Sequence, residues 1–252
     1  MQYEWGPNIE QETETNTLAA QTYNKIRQDI ISGSLEPGSK LQSEKLKKQY
    51  DVGSSPLREA LTQLAANGLV TSEGQKGFRV VDVSLKELRD ITKLRMHLEV
   101  HGFKESIAHG DVEWEVAVTS AYRRLVHAIE ELSSGKSGSA RSWEDIHRGF
   151  HLSLVQGCGS PWLISFCHRL YEHFERYRRI YVEYREISPK ILEEHEALHQ
   201  AAINRDADLA EKLLSEHILF AARLTEADAR KKGIQDGGEI IAAAEQEMEL
   251  IK

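Results

Sequence analysis

Residues 142–163 read SWEDIHRGFHLSLVQGCGSPWL and place His147 and His151 four positions apart. On a helix, that spacing projects both imidazoles from one face, where they could share a metal ion. Three readings are open for such a pair: a catalytic metal centre, a ligand sensor, or a polar stripe. A second stretch, HEALH at 195–199, matches the H-E-x-x-H pattern of zinc metalloproteases, with Glu196 as the would-be base. The longer form of that motif fails, because Ala202 and Arg205 occupy its later glycine and histidine positions. No strand is evident nearby to hold an extended peptide. A zinc metalloprotease is therefore the alternative reading, not the first.

The elements that would position these residues follow from the rest of the chain. Its 252 residues allow one large domain or two modest ones. No apolar run approaches the ~20 residues needed to span a bilayer, so no membrane partner is expected. The N-terminus lacks the basic-then-apolar order of a signal peptide. Two cysteines, Cys158 and Cys167, cannot build a disulfide framework, and together these features imply a cytoplasmic protein. A net charge of -8 argues against non-specific binding of polyanions by the whole molecule. The charge is uneven, however: +3 over residues 18–81, -4 over 1–17 and -7 over 82–252. A locally basic segment on an acidic remainder suits a small nucleic-acid reader joined to something else.

Residues 1–17 are polar and unpatterned and read as a mobile tail. From Leu18 the pattern becomes helical, with Tyr23, Ile26, Ile30 and Ile31 on one face and Gly33 as the stop. LEPGSKL reads as a turn, SEKLKKQY as a short helix with Ser43 as N-cap, and SPLREALTQLAANGL as a third helix ended by Gly68. Leu69 to Ser72 and Phe78 to Val83 read as a hairpin around EGQKG. Three helices and a hairpin over 18–83 are the parts of a winged helix-turn-helix, whose last helix enters the major groove.

This stretch resembles the GntR family of bacterial transcription regulators. The resemblance rests on Pro37-Gly38, Pro56-Leu57-Arg58-Glu59-Ala60-Leu61, Gly68-Leu69-Val70 and the glycine-tipped wing at Gly77-Phe78. It implies that Arg58 contacts operator DNA, with Ser54 and Ser55 at the mouth of the helix and Gln75, Lys76 and Gly77 in the wing. The chemistry agrees, since arginine clamps a phosphate or reads guanine bidentately and small hydroxyls suit phosphates. The bland alternative for Arg58 is an exposed ion pair with Glu59. One departure stands out: Gly53-Ser54-Ser55 replaces the family's usual Ser/Thr-Arg-Thr, which removes a base-reading arginine and alters the expected operator.

Residues 84–232 show no convincing strand and read as an all-α bundle, with helices at about 84–110, 112–133, 142–156, 160–186, 189–204 and 206–231, and with SSGKSGSA as a flexible loop. The fold class expected is mainly α: a winged helix-turn-helix followed by an all-helical effector-binding domain. Residues 233–252 read as a C-terminal extension with a short helix.

LRMHLE, HRGFHLSL, EHEAL and NRDADLAEKLLSEH resemble the FCD effector domain of FadR-type regulators. The resemblance implies a divalent metal held by His147, His151, His195 and His217. His195 and His217 are 22 residues apart, enough to end one helix, turn and return along the next. His147 departs from the family, which has aspartate there. Four neutral imidazoles leave a divalent charge uncompensated, which favours Zn or Ni over Mg or Ca and attracts an anion. Alternatively, His147 does not bind and three ligands hold the metal.

Arg95 sits where relatives present an arginine to a bound carboxylate, and its alternative is a partner for Glu99. Arg178 is a weaker effector candidate, because the arginines of ERYRRIYVEYR could form a solvated face. His168, His173 and His199 are expected beside the pocket or on the surface. Trp143, His147, Phe150-His151, Val155 and Gly157-Cys158-Gly159-Ser160 resemble the carbon-starvation, glutarate-responsive branch. The function implied is a homodimeric, cytoplasmic repressor that binds double-stranded operator DNA and a small carboxylate, and that is not an enzyme.

Overall fold

The computed structural model describes residues 17–74, 77–133, 140–182 and 189–234. The expected N-terminal tail, the wing tip at Gln75 and Lys76, the SSGKSGSA loop and the C-terminal extension lie wholly or largely outside the described residues.

Helix α1 (Leu18–Ile31) starts where the Thr17 side chain accepts from the Ala20 N–H. It stops at Ser32, after which Gly33 takes a φ of 78° that a side chain would disfavour. Ile26 and Ile30 are fully buried, each contributing about 1.5–3 kcal/mol by removal from water. They pack with Leu46 of α2 (Ser43–Tyr50) and with Leu57, Leu61 and Leu64 of α3 (Ser54–Ala66). Ser43 proves to be the first helical residue; the N-cap is Gln42, which makes no side-chain cap.

Strand β2 (Val70–Ser72) and strand β3 (Phe78–Val80) form the expected hairpin, with Val70 opposite Val80 and Ser72 opposite Phe78. A further strand, β1 (Lys40–Leu41), pairs with β3, giving the antiparallel order β1-β3-β2. By sequence pattern this stretch is part of the LEPGSKL turn. Two residues are too few for alternation to show, and the pairing is decided by residues some forty positions later.

The remainder is helical: α4 (Leu85–His109), α5 (Val112–Ser133), α6 (Ala140–Val155), a 3-10 turn (Gln156–Cys158), α7 (Pro161–Tyr181), α8 (Pro189–Ile203) and α9 (Ala207–Lys231). Ser84 caps α4 by accepting from the Glu87 N–H. Gly110 closes α4 in extended conformation; a Cβ there would lie 2.5 Å from the Ser106 carbonyl oxygen and from the Trp114 ring. α7 ends at Tyr181, short of the expected 186. Phe103, Trp114, Val118, Leu125, Phe150, Leu198 and Ile218 make the main core of this part.

Helix α7 has two opposed faces. Arg169, Glu172, His173, Arg176 and Ile180 meet the N-terminal part and its connection to α4. Glu172 pairs with Arg27, Arg169 donates to Asn67 Oδ1 (3.1 Å), and His173 Nε2–H donates to the Asn67 carbonyl (2.9 Å). Ile180 packs against Gly33. Arg176, fully buried, donates to the carbonyls of Val81 (3.2 Å) and Asp82 (3.3 Å) and to Glu87 (3.1 Å). Half a turn round, Cys167, Tyr171, Phe174 and Arg178 point into the helical domain.

Candidate metal centre

Four buried histidines converge from three helices: His147 and His151 on α6, His195 on α8 and His217 on α9. Each offers one ring nitrogen, and the four atoms lie within 4.8 Å of one another. His151 Nε2 is 3.2 Å from His195 Nε2 and 3.3 Å from His147 Nε2. Nitrogens about 2.0–2.1 Å from a tetrahedral zinc would be separated by about 3.3 Å, so these edges fit an ion. Fully buried Phe150 packs against both His151 and His195.

Partners on the far side of two rings set their tautomers. His195 Nδ1–H donates to the Ile191 carbonyl one turn earlier (2.6 Å), and His217 Nδ1–H donates to Glu194 Oε2 (2.9 Å). A carbonyl and a carboxylate only accept, so both Nε2 lone pairs point inward, ready for a metal. The hydrogen bond from His217 holds the Glu194 carboxyl below its ordinary value. His147 Nδ1 instead faces the Tyr171 hydroxyl (2.6 Å) and Arg178 Nη2 (3.1 Å). His151 Nδ1 is buried without a hydrogen-bond partner.

Burial pushes His147, His151 and His195 well below the ordinary imidazole value. Arg178 adds to this most for His147, and His217 for His151 and His195. All three are therefore neutral at neutral pH, as ligation requires. In the metal-free chain the depressed values also tie stability to pH. As pH falls through about 6.5 the unfolded histidines take up protons that the folded ones refuse, so stability is lost below that point. Melting of metal-free protein between about pH 7.5 and pH 5.5 is expected to weaken by up to ~1.4 kcal/mol per histidine per pH unit, before carboxylates titrate. A midpoint that stays flat across this window would contradict the neutral cluster.

Of the two effector candidates, Arg95 is buried with Nε and Nη2 on Glu99 (2.5 and 3.1 Å), and it lies over the rings of Tyr171 and Phe174. The structure thus places it in the Glu99 pairing. Arg178 is buried and bonded to Glu144, Tyr171 and His147, so the solvated-face alternative for ERYRRIYVEYR does not hold for Arg176 or Arg178. Sequence reasoning missed Tyr171, Glu144 and Glu194. Glu194 adjoins His195 and Glu144 lies one turn before His147, but Tyr171 carries no local signal.

His199 lies outside the cluster, stacked on Tyr122 (centroids 4.5 Å apart) and 3.2 Å from the Thr119 hydroxyl, while Glu196 is exposed. The two histidines of HEALH do not converge, and the protease reading fails on that geometry.

On the N-terminal part, Ser54, Ser55 and Arg58 are exposed on α3, and among the described residues no ion pair engages Arg58, with Glu59 or otherwise. Gly53 caps α3 without a side-chain bond, leaving first-turn N–H groups open to an anion. Gly77 takes a φ of 96° at the base of the wing.

Residues 18–80 match the family described as bacterial regulatory proteins, gntR family, and residues 90–220 match the FCD domain. The chain belongs to the GntR family of transcriptional regulators. As a GntR-family regulator with an FCD domain it is a DNA-binding protein and not an enzyme. It is 38% identical to the HTH-type transcriptional regulator BphR of Paraburkholderia xenovorans, over 80% of this chain and 82% of that one. It is 36% identical to the HTH-type transcriptional repressor GlaR of Escherichia coli, over 78% of this chain and 90% of that one. The solved structure of E. coli McbR/YncC shares the fold, with a TM-score of 0.69 at 20% identity over 84% of this GntR-family chain and 98% of its own. Among the described residues no helix is long and apolar enough to cross a membrane.

Proposed function

We propose that this regulator is a homodimeric repressor whose operator binding is released by a small carboxylate bound beside a divalent metal. The carrying observation is the buried, neutral histidine cluster, with two Nε2 lone pairs fixed inward and the Arg178 guanidinium against its edge. His151, His195 and His217 would hold Zn or Ni, with His147 beside the remaining position. The metal would supply a Lewis-acid site for a carboxylate oxygen, and Arg178 a second attraction for its charge. Arg95 would contribute only if the ligand displaced Glu99. The resemblance of 143–160 to the glutarate-responsive branch makes glutarate the first candidate, and the similarity to a named repressor supports the sign.

Two copies would present Arg58, Ser54 and Ser55 to two half-sites, with Gln75, Lys76 and Gly77 on the backbone. Helix α7 gives a route between the sites: one face holds Arg178 at the cluster, and the opposite face holds Asn67 and Arg27. A ligand shifts DNA affinity only by its preference for one arrangement of the two parts.

The test begins with capture of genomic fragments by the metal-loaded protein, which yields the operator. Glutarate titrated into that complex is expected to release DNA, followed by fluorescence anisotropy, with a coupling of about 5- to 150-fold. No release by glutarate or by its shorter and longer homologues would overturn the carboxylate reading.

A further inference from the structure

We infer that His147 is not a fourth metal ligand but a hydrogen-bond donor, aimed at an anionic oxygen bound at the metal's open position. This rests on the metal reading above and assigns the role of one residue in it.

The argument turns on which nitrogen of His147 carries the proton. Arg178 Nη2, 3.1 Å from Nδ1, has hydrogens and no lone pair to offer, so it can face only an unprotonated nitrogen. The Tyr171 hydroxyl lies 2.6 Å from the same Nδ1 and also receives Arg178 Nη2 at 3.2 Å. If Nδ1 carried the proton, two donors would face each other. The Tyr171 oxygen would then accept from both neighbours, and its own buried proton would be left unpaired. With the proton on Nε2, every group has a role: Arg178 donates to Glu144 and towards this pair, and Tyr171 donates to Nδ1. A neutral His147 therefore turns an N–H towards the centre, whereas His195 and His217 turn lone pairs there.

Ring positions leave the assignment to the protons: His147 is 4.6 and 4.8 Å from His151 and His195 but 6.2 Å from His217, while the other three centroids are 4.7, 4.9 and 5.2 Å apart. With His151 as third ligand beside the fixed lone pairs of His195 and His217, the one N–H makes an open site that selects what completes it. A carboxylate oxygen has a spare lone pair to accept from His147; a metal-bound imidazole nitrogen has none. The site is thereby tuned to oxyanions over nitrogen ligands of similar metal affinity.

The test loads wild type, His147→Ala, His147→Gln and His195→Ala with Co2+ and reads the visible absorption band, first for metal uptake and then during titration with acetate or imidazole. Wild type and His147→Ala are expected to take up about one ion per chain, with affinities within about threefold, while His195→Ala takes up none. Acetate affinity should fall about tenfold in His147→Ala and imidazole affinity should not, because only the oxyanion accepts the lost N–H bond. The amide N–H of His147→Gln should recover most of the acetate affinity, which a merely structural role would not do. Cobalt lost from both position-147 variants, but held by wild type, would overturn the inference and leave the metal reading standing. Cobalt kept with acetate affinity unchanged in His147→Ala would also overturn it. A wild type that takes up no cobalt would end the metal reading and this inference together.

Discussion

His195→Ala is expected to abolish divalent metal binding while leaving the fold and DNA binding intact. His195 is fully buried and central to the cluster, with ring centroids 4.8, 5.2 and 4.7 Å from those of His147, His151 and His217. Its Nδ1–H is anchored on the Ile191 carbonyl within its own helix, so Nε2 is held in position whether or not an ion is present. Losing a mere supporting group around a metal costs about 10- to 100-fold in affinity, and losing a ligand from a set of three should exceed that. Elemental analysis of protein purified gently, without chelator, and competition against a chromophoric chelator give the measurement. Because bound metal stabilises the folded state by about 4 kcal/mol at a thousand times its dissociation constant, wild type but not the variant should gain melting temperature on zinc addition. Stoichiometric zinc in His195→Ala would remove this residue from the centre.

The second large effect is at the other end of the molecule. Arg58→Ala is expected to abolish most operator affinity. Arg58 is the sole arginine of α3, its side chain is exposed, and no described residue competes for it by ion pairing. The neighbouring positions Gly53, Ser54 and Ser55 offer small groups and open N–H donors, suited to a phosphate but unable to read guanine bidentately. A bidentate base contact carries about 1–3 kcal/mol, so loss from both half-sites of a symmetric operator would amount to about 2–6 kcal/mol. Anisotropy titration at fixed salt, repeated at several salt concentrations, separates this loss from a phosphate contact, which would chiefly flatten the salt dependence. Affinity unchanged by the substitution would place base reading elsewhere.

Legibility in the sequence followed the range of the physics involved. Helices announced themselves because burial of Ile26, Ile30, Leu57 and Leu61 imposes a 3.6-residue period within a short window. Strand β1 did not, since Lys40 and Leu41 are strand only by virtue of Phe78 and Arg79. His147 and His151 could be placed on one face from spacing alone, but the direction of each ring's proton depends on distant partners such as Tyr171 and Arg178. The same limit applied to Arg176 and Arg178. In sequence they are charges in a charged run, and only the packing of α7 between the two parts shows them buried and bonded. Arg95 and Glu99, one turn apart, were legible as a pair, though spacing alone did not choose between that pairing and a ligand.

The opposed faces of α7 bear on how freely such regulators can be recombined. The junction is a set of matched polar contacts, and the DNA-binding part is not a bead on a string. Arg176 is sealed from solvent and donates to Glu87 and to the carbonyls of Val81 and Asp82, which lie in the connection between the parts. A hybrid that joined residues 84–234 to another regulator's winged helix would keep the Glu87 pairing but take both carbonyl acceptors from that guanidinium, unless the new connection presented carbonyls in the same places. A buried donor left without its acceptor costs about 1–3 kcal/mol, a large share of a domain's stability. Exchange of the DNA-reading module of this chain therefore has to match the five-residue stripe from Arg169 to Ile180 on α7, so that module and helix behave as one unit.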